Sequence, residues 1–377
     1  MADDYELLMI PGPTNLPDEV RDALGRPQIS HRVSKFKALV GRLSEGLQAL
    51  FMTEQPVLTL TSSSTGAMEA AIVNLLSPGD PVVCVDTGKF GNRLGKIAQT
   101  YGAQVHNLAV ERGQGVSEAE LGEACAIVRP KAVLMVQNET ATGVCQNVAA
   151  LAEIARSYGA LSVVDAVSSL GGSPLRMDLW GLDAVIAGSQ KTLMLPPGLG
   201  FVAFSERAWA AAAEATMPKF YFDLTKARGS LEKGGETPYT PNTSLFVALE
   251  VVLNLIWEEG LEQRWDRHRR LAQACRAAMK ALGLSLFAGE SFLSDTITSV
   301  TSPVASGALT KLIRGKHKII IAGGQDELKD KIFRIGHLGT CQLPQVVQTV
   351  EAVAASLIEM GYACDPAAGV KAAEEAF

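Results

Sequence analysis

Residues 161–200 read LSVVDAVSSLGGSPLRMDLWGLDAVIAGSQKTLMLPPGLG and decide the fold. Two short apolar runs, LSVVDAV and LDAVIAG, predict strands that are covered on both faces of a sheet. The first apolar strand ends at Asp165, and the second leads into a polar turn that carries Lys191. An acidic and a basic side chain therefore follow two strands of the predicted sheet.

The same alternation extends from about residue 57 to 205. Strand-like runs such as PVLTLTS, PVVCVDT and KAVLMVQ alternate with helical patterns such as GAMEAAIVNLL, FGNRLGKIAQTYG and NVAALAEIARSYG. This order predicts β-α-β units and a mostly parallel sheet. A helical pattern with a break near Glu258 to Gly260 then leads to a final section with strand-like SDTITSVTS and HKIIIAGG. A closing helix is predicted from about Pro344 to Met360.

These patterns predict an α/β fold in three parts. Residues 1–15 form an N-terminal segment that crosses both domains, residues 16–255 form a large α/β domain, and residues 256–377 form a small α+β domain. In open α/β sheets, ligands bind beyond the carboxyl ends of the strands. The polar residues at those ends are therefore the candidate site.

Composition argues against several classes of function. The chain has 377 residues, with 40 acidic and 34 basic side chains and a net charge of −6, and it has no cluster of Lys and Arg that would bind nucleic acid. The acidic N-terminus and the lack of an apolar run of about 18 residues predict a cytoplasmic protein without membrane contact. The 5 His and 6 Cys show no spacing typical of a metal site, so we predict none.

Lys191 and Asp165 together predict covalent cofactor chemistry. A partly buried lysine has a lowered amine pKa and can form an imine with a carbonyl. A carboxylate can hold a pyridinium nitrogen protonated. Pyridoxal 5'-phosphate (PLP) needs this pair of groups to act as an electron sink.

The TSSSTGAMEA segment predicts a phosphate cradle. It lies at a strand-to-helix junction, where free backbone N–H groups and the helix dipole attract anions. Ser63, Ser64, Thr65 and Gly66 are the candidates. A simple Ser or Thr helix cap is the alternative interpretation.

Three further motifs carry candidate ligands. In DTGKFGNR, the ring of Phe90 can stack on a planar cofactor. In QNETATGV, Glu139, Thr140 and Thr142 can orient a substrate or a cofactor hydroxyl. In KIFRIGHLG, Arg334 can hold a carboxylate through two parallel hydrogen bonds.

Taken together and in this order, these motifs resemble the class V aminotransferases of fold type I, and within them the alanine–glyoxylate and serine–glyoxylate aminotransferase group. The resemblance covers nearly the whole chain. It runs from MIPGPTNLP and ISHR through TSSSTGAMEA, GKFGNR, NETATGV and VVDAVSSLGG to GSQKTLMLPPGLG and KIFRIGHLG. It implies PLP as cofactor, small amino acids and 2-keto acids as substrates, and a homodimer.

The resemblance also implies roles for the cofactor-binding residues. Lys191 is the Schiff-base lysine and proton shuttle, Asp165 pairs with the pyridine nitrogen, and Val167 packs beneath the ring. Gln190 joins Ser64 and Thr65 at the phosphate, and Thr140 approaches the ring hydroxyl.

Further roles concern the substrate and the second subunit. Arg334 is implied to bind the α-carboxylate, while Pro11 and Gly12 line the substrate mouth. A Thr near a Pro of the partner subunit is implied to complete the phosphate site. In PYTPNTS we favour Thr240 over Thr243 for that contact.

Two departures bear on the substrate. The better-studied alanine–glyoxylate members have Trp where this chain has Phe90, and His where it has Thr65. A phenylalanine still stacks on the cofactor ring, so the departures concern substrate choice. Relatives with the KFG and RIGHLG patterns have been labelled as the small subunit of a soluble hydrogenase, but the scattered cysteines here predict no iron–sulfur or nickel site.

Two other functions remain open from the sequence. A cysteine desulfurase or another C–S lyase of the same fold would need a nucleophilic cysteine, for which Cys341 is the candidate. A non-catalytic PLP-binding subunit of a larger assembly is the second alternative. The retained Lys191, Asp165 and Arg334 argue against that role.

Overall fold

Seven strands form the central sheet of the computed structural model, which describes residues 6–377. The strands of this sheet and of three small sheets are β1 (Leu7–Leu8), β2 (Val57–Thr61), β3 (Pro81–Asp86), β4 (Gln104–Ala109), β5 (Ala132–Val136), β6 (Asn138–Glu139), β7 (Val144–Cys145), β8 (Leu161–Asp165), β9 (Ala184–Gly188), β10 (Leu199–Phe204), β11 (Ile297–Thr301), β12 (Ile319–Ile320), β13 (Ala322–Gly323) and β14 (Ile332–Gly336). The helices are α1 (Asp18–Leu24), α2 (Ser34–Phe51), α3 (Ser64–Leu75), α4 (Lys89–Thr100), α5 (Glu118–Val128), α6 (Val148–Ser157), α7 (Glu206–Glu214), α8 (Leu224–Glu232), α9 (Thr243–Glu259), α10 (Leu261–Ala281), α11 (Ser306–His317), α12 (Leu343–Glu359) and α13 (Pro366–Ala376).

The central sheet is mostly parallel, as predicted. Its order is β2-β10-β9-β8-β5-β3-β4, and only β10 runs antiparallel to its neighbours. The inner strands β5, β8 and β9 are buried at every residue, because helices cover both faces. The predicted α/β fold is confirmed.

Two apolar cores lie on the two faces of this sheet. Neighbouring residues of one strand alternate between them, so that Val164 joins the core with α2 and α9, whereas Val163 joins the core with α3 and α4. This two-sided packing fixes the register of each strand, because a shift by one residue would exchange the two faces. The register in turn places Asp165 at the end of β8. No helix within residues 6–377 is both long and apolar enough to cross a bilayer.

The C-terminal section is built on a three-stranded antiparallel sheet, β11-β14-β13. A third core combines this sheet with α10, α11, α12 and Met9 of the N-terminal segment. The N-terminal segment also adds β1 to β12, with Leu7 opposite Ile319. The first described residues thus pack against the C-terminal section.

Two predicted elements differ from the structure. HKIIIAGG forms two short strands instead of one, because β12 pairs with β1 and β13 pairs with β14 on either side of Ile321. The predicted closing helix, α12, is followed by α13. The side chain of Asp365 accepts a hydrogen bond from Ala367 N at 2.9 Å, and Pro366 occupies the first helical position. These are ordinary start signals of a helix.

A charged cluster links the junction of α9 and α10 to the candidate site. Arg264, only 2% exposed, donates to Glu259 at 2.7 Å and to the carbonyl of Thr192 at 2.7 Å. Arg267 donates to the same carboxylate at 2.6 Å and to the carbonyl of Cys341 at 2.7 Å. The cluster therefore joins the turn that carries Lys191 to the loop after β14.

Removing the charge of Glu259 tests this link. Glu259→Gln leaves the buried Arg264 without its counter-charge, and we expect the free energy of unfolding to fall by about 3 kcal/mol. Chemical denaturation measures the change. The matched control is Glu262→Gln, because Glu262 is exposed and lies 3.7 Å from Arg176. Its substitution should cost less than about 1 kcal/mol. Equal effects of the two substitutions would contradict the assigned role.

Candidate active site

The candidate site lies at the carboxyl edge of the parallel strands. Strands β2, β3, β8 and β9 all end at this edge, and α3 and α4 begin there. A cavity of about 230 Å³ opens between these ends. Its lining residues are Ser63, Ser64, Thr65, Met68, Phe90, Arg93, Asn138, Thr140, Asp165, Val167, Ser168, Gln190 and Lys191. The fold thus brings together every residue predicted for the cofactor except Gly66, Thr240 and Thr243.

Lys191 lies in the cavity wall against the N-terminal segment. Its Nζ donates to the carbonyl of Pro11 at 2.5 Å, and Thr14 Oγ1 donates to the Lys191 carbonyl at 3.1 Å. Gly12 has φ +115°, and a Cβ atom there would lie 2.5 Å from Lys191 Cδ. Only glycine fits this approach without strain. Pro11 and Gly12, predicted at the substrate mouth, therefore contact the lysine directly.

The electrostatics of Lys191 and Asp165 are coupled. Burial lowers the pKa of Lys191 to about 8, and the negative charge of Asp165 partly opposes this effect. Burial raises the pKa of Asp165 to about 7, while a hydrogen bond from Val167 N, at 2.8 Å, and the charge of Lys191 oppose the rise. Near neutral pH the amine therefore loses its proton more easily, and the carboxyl group keeps its proton more easily, than the same groups in water.

The start of α3 forms one end of the cavity. Ser63 occupies the N-cap position, but its side chain makes no capping hydrogen bond. Gln190 Nε2 donates to Ser64 Oγ at 3.1 Å, which joins the helix start to the turn after β9. A Cβ atom at Gly188 would lie 1.9 Å from Ser64 Oγ. The close approach of β9 to α3 therefore requires glycine at position 188.

Phe90 is positioned by a buried carboxylate. Glu139, which is fully buried, accepts hydrogen bonds from Phe90 N at 2.7 Å, Gly91 N at 3.1 Å and Ala141 N at 2.9 Å. Burial raises its pKa, and these three donors oppose the rise. We expected Glu139 to orient a ligand. Its carboxylate instead satisfies backbone donors at the start of α4 and fixes the ring of Phe90.

Arg334 lies in the middle of β14 and is 4% exposed. Its Nη1 donates to the carbonyl of Thr140 at 2.7 Å, and its Nη2 donates to that of Gly323 at 2.6 Å. Burial lowers its pKa to about 10, and Glu139 opposes this effect. Within residues 6–377, no carboxylate lies within ion-pair distance of Arg334. A buried guanidinium without a counter-charge is prepared for an anionic ligand.

The two candidate threonines lie outside the cavity of their own chain. Thr240 is exposed in the loop before α9. Thr243 is the first residue of α9, and its hydroxyl donates to the side chain of Gln28. Neither lines the cavity.

Four lining residues were not predicted: Met68, Arg93, Asn138 and Ser168. Arg93 follows Phe90 by one helical turn, so the spacing within DTGKFGNR was the signal that could have identified it. Asn138 lies just beyond β5, and its Oδ1 is buried without a hydrogen-bond partner among the described residues. Within residues 6–377, no group of three or more His, Cys, Asp or Glu side chains is arranged to hold a metal ion.

The lowered pKa of Lys191 predicts a distinctive reactivity. Trace acetylation of the cofactor-free chain should modify Lys191 faster as the pH rises, because only the neutral amine reacts. We expect the half-maximal rate near pH 8, and mass spectrometry of the peptide that contains Lys191 measures it. Asp165→Asn removes the charge that raises this pKa, so the profile should move to lower pH. An unchanged profile, or a shift to higher pH, would contradict the coupling.

Comparisons with known proteins agree with this geometry. The family model for aminotransferase class V matches residues 11–340. A soluble hydrogenase small subunit from a Synechococcus species is 44% identical over 376 residues, which cover 98% of each chain. The L-aspartate–glyoxylate aminotransferase of Paracoccus denitrificans is 35% identical, with 98% of this chain and 95% of the relative covered.

A solved structure has a very similar fold. The ureidoglycine–glyoxylate aminotransferase of Bacillus subtilis superposes with a TM-score of 0.94 at 30% identity, over 98% of this chain and 97% of that one. The family match and both relatives extend over nearly the whole chain. The chain belongs to the class V aminotransferases.

Proposed function

We propose that this PLP-dependent aminotransferase moves the amino group of a small amino acid, such as alanine or serine, to glyoxylate or pyruvate in a ping-pong cycle at Lys191. The observation that carries the proposal is the coupled pair of Lys191 and Asp165 in one cavity with the start of α3. Glyoxylate is supported as acceptor because it appears in the names of the Paracoccus and Bacillus relatives.

The residues of the cavity fit PLP. Asp165 provides a buried carboxylate for a ring nitrogen, and the start of α3 provides backbone donors for a phosphate. Phe90 and Val167 provide apolar surface for the two faces of a ring. Asn138 Oδ1 in the cavity wall is buried without a hydrogen-bond partner among the described residues, so a bound ligand could donate to it.

PLP, when bound, supplies a carbonyl for the amine and an electron sink for the bond that breaks. We propose that Asp165 holds a proton on the ring nitrogen. Burial raises the pKa of this carboxyl group, the positive charges of Lys191 and Arg93 oppose the rise, and a protonated ring nitrogen beside it would favour the carboxylate further. Lys191 Nζ, whose pKa is near 8, is neutral often enough at neutral pH to accept a proton from the α-carbon of the substrate. The carbonyl of Pro11 orients that amine through its hydrogen bond.

Arg334 is proposed to bind the substrate α-carboxylate. It is a buried cation without a carboxylate partner among residues 6–377, and its contact with the Thr140 carbonyl holds it beside the cavity wall. Binding of the carboxylate would orient the α-carbon toward Lys191 and exclude water from the same space.

We further propose a homodimer in which Thr240 of a second copy completes the phosphate site. The exposure of Thr240 supports this assignment, whereas the hydroxyl of Thr243 is already bound to Gln28. Sedimentation of the active protein tests the assembly, and an active monomer would contradict it.

The proposed division into domains follows the three cores. Residues up to 255 contribute almost all of the two cores around the central sheet, and residues after 256, with the N-terminal segment, contribute the third. The break between α9 and α10 at Gly260, where φ is +84°, is the physical boundary closest to that division. Limited proteolysis that cuts first within either part would contradict it.

The alternative C–S lyase activity has little support. Cys341 is 5% exposed, and burial raises the pKa of its thiol to about 12. Nucleophilic cysteines are accessible and have lowered pKa values. Arg334 likewise argues against a non-catalytic subunit, because a buried guanidinium without a carboxylate partner suits an anionic substrate.

Lys191→Ala tests the catalytic assignment. We expect loss of transamination in a panel of alanine, serine and aspartate against glyoxylate, pyruvate and 2-oxoglutarate, and loss of the absorbance of the lysine-bound cofactor, because no other amine lines the described cavity. The control is Lys371→Ala, which removes an exposed lysine. Activity of Lys191→Ala, or a wild-type protein that transfers no amino group, would refute the proposal.

Arg334→Gln tests substrate binding. Loss of a bidentate, charge-assisted contact should lower kcat/KM for alanine by about 100-fold. The absorbance of the lysine-bound cofactor should persist, because Arg334 is proposed to contact only the substrate. Loss of that absorbance would show that Arg334 supports the cofactor instead.

A further inference from the structure

Arg93 is a charged residue of the cavity wall to which the proposed mechanism gives no role. It lies in the first half of α4, one turn after Phe90, and is half-buried. Its Nη1 donates to Thr65 Oγ1 at 3.2 Å, and its Cζ lies 4.7 Å from the centre of the Phe90 ring. The contact with the Phe90 ring stabilises the guanidinium of Arg93 beside the start of α3.

Two other cations near Arg93, Lys89 and Arg112, are paired with carboxylates, whereas the exposed Lys96 forms no ion pair among the described residues. Lys89 lies 3.3 Å from Asp326, and Arg112 donates to Asp86 and to Glu327 at 2.7 Å each. Within residues 6–377, no carboxylate lies within 4.0 Å of the Arg93 guanidinium. Arg93 is thus a half-buried cation that makes no ion-pair contact in the described chain, and the carboxylate on which its charge acts is Asp165 in the same cavity.

The charge of the cavity points to an anionic ligand. Lys191, Arg93 and Asp165 line the same cavity, and the positive charge of Arg93 helps to lower the pKa of Lys191. When Lys191 and Arg93 are both protonated, the single negative charge of Asp165 does not balance their two positive charges. An anion bound at the end of the cavity near Arg93 would restore the balance.

The contact with Thr65 identifies which anion. Thr65 belongs to the first turn of α3, where the N–H of Gly66 donates to the Ser63 carbonyl at 2.9 Å and the N–H groups at the helix start before it have no carbonyl of a preceding turn to bind. Such groups can bind a phosphate. A phosphate oxygen bound by Thr65 would lie within reach of the remaining donors of Arg93, since a guanidinium has five N–H groups in a fixed fork. On the basis of the proposed cofactor site, we propose that Arg93 binds the phosphate of PLP.

The test compares PLP with pyridoxal, which has the same ring and carbonyl but no phosphate. Apo-protein is titrated with each compound, and the dissociation constants are measured by absorbance and fluorescence. Arg93→Gln should weaken PLP binding by about 10- to 100-fold and leave pyridoxal binding unchanged. Arg93→Lys keeps the charge without the fork and should lose less affinity for PLP. Lys96→Gln removes an exposed charge of the same helix and should change neither constant.

Unchanged pyridoxal binding also shows that the variant cavity is folded. Equal weakening of PLP and pyridoxal, or unchanged PLP binding in Arg93→Gln, would overturn the inference. If unchanged PLP binding came with a raised KM for aspartate but not for alanine, Arg93 would bind the second carboxylate of a substrate instead. These results leave the proposed function standing. A wild-type protein that does not bind PLP would refute both.

Discussion

The coupling between Lys191 and Asp165 is the constraint on which the rest of the site depends. Burial penalises the charged form of both groups, and each partly restores the charge of the other. An amine that is neutral near pH 8 is a nucleophile and a base, whereas the same amine in water would stay protonated. The fold must therefore hold both groups in one cavity and keep them partly away from water.

Several distant parts of the chain meet this requirement together. The N-terminal segment covers Lys191 through the carbonyl of Pro11 and the glycine at position 12. The cluster of Glu259, Arg264 and Arg267 fixes the carbonyl of Thr192, next to Lys191, from the opposite side. Precise placement of a reactive group by packed, hydrogen-bonded neighbours is what catalysis requires. The charged cluster therefore fixes the backbone beside Lys191 although none of its side chains lines the cavity.

The sequence predicted the parts of the fold that depend on local patterns. Apolar runs identified the inner strands, and the residues at their ends identified Asp165 and Lys191, because strand ends and ligand sites coincide in this architecture. The edge strand β4 has a mostly exposed, polar pattern and gave no such signal. The role of Glu139 also depends on tertiary structure, since its three backbone donors come from two separate segments. The absence of a carboxylate within ion-pair distance of Arg93 also depends on tertiary structure, because residues from separate segments surround this side chain.

Two arginines without a carboxylate partner, Arg93 and Arg334, carry information about the ligand that the pair of Lys191 and Asp165 does not. Arg93 adjoins the start of α3, and Arg334 adjoins Thr140, so the two mark separate parts of the cavity wall. Lys89, Arg112 and the buried Arg264 are paired with carboxylates, whereas Arg93 and Arg334 have none within ion-pair distance among residues 6–377. A ligand that contacted both arginines would carry an anionic group near each, and Phe90 and Val167 offer apolar surface in the same cavity. In the proposed site, the phosphate of PLP would lie near Arg93 and the carboxylate of the substrate near Arg334. We therefore propose that the two arginines bind anionic groups of the cofactor and of the substrate in neighbouring parts of the site.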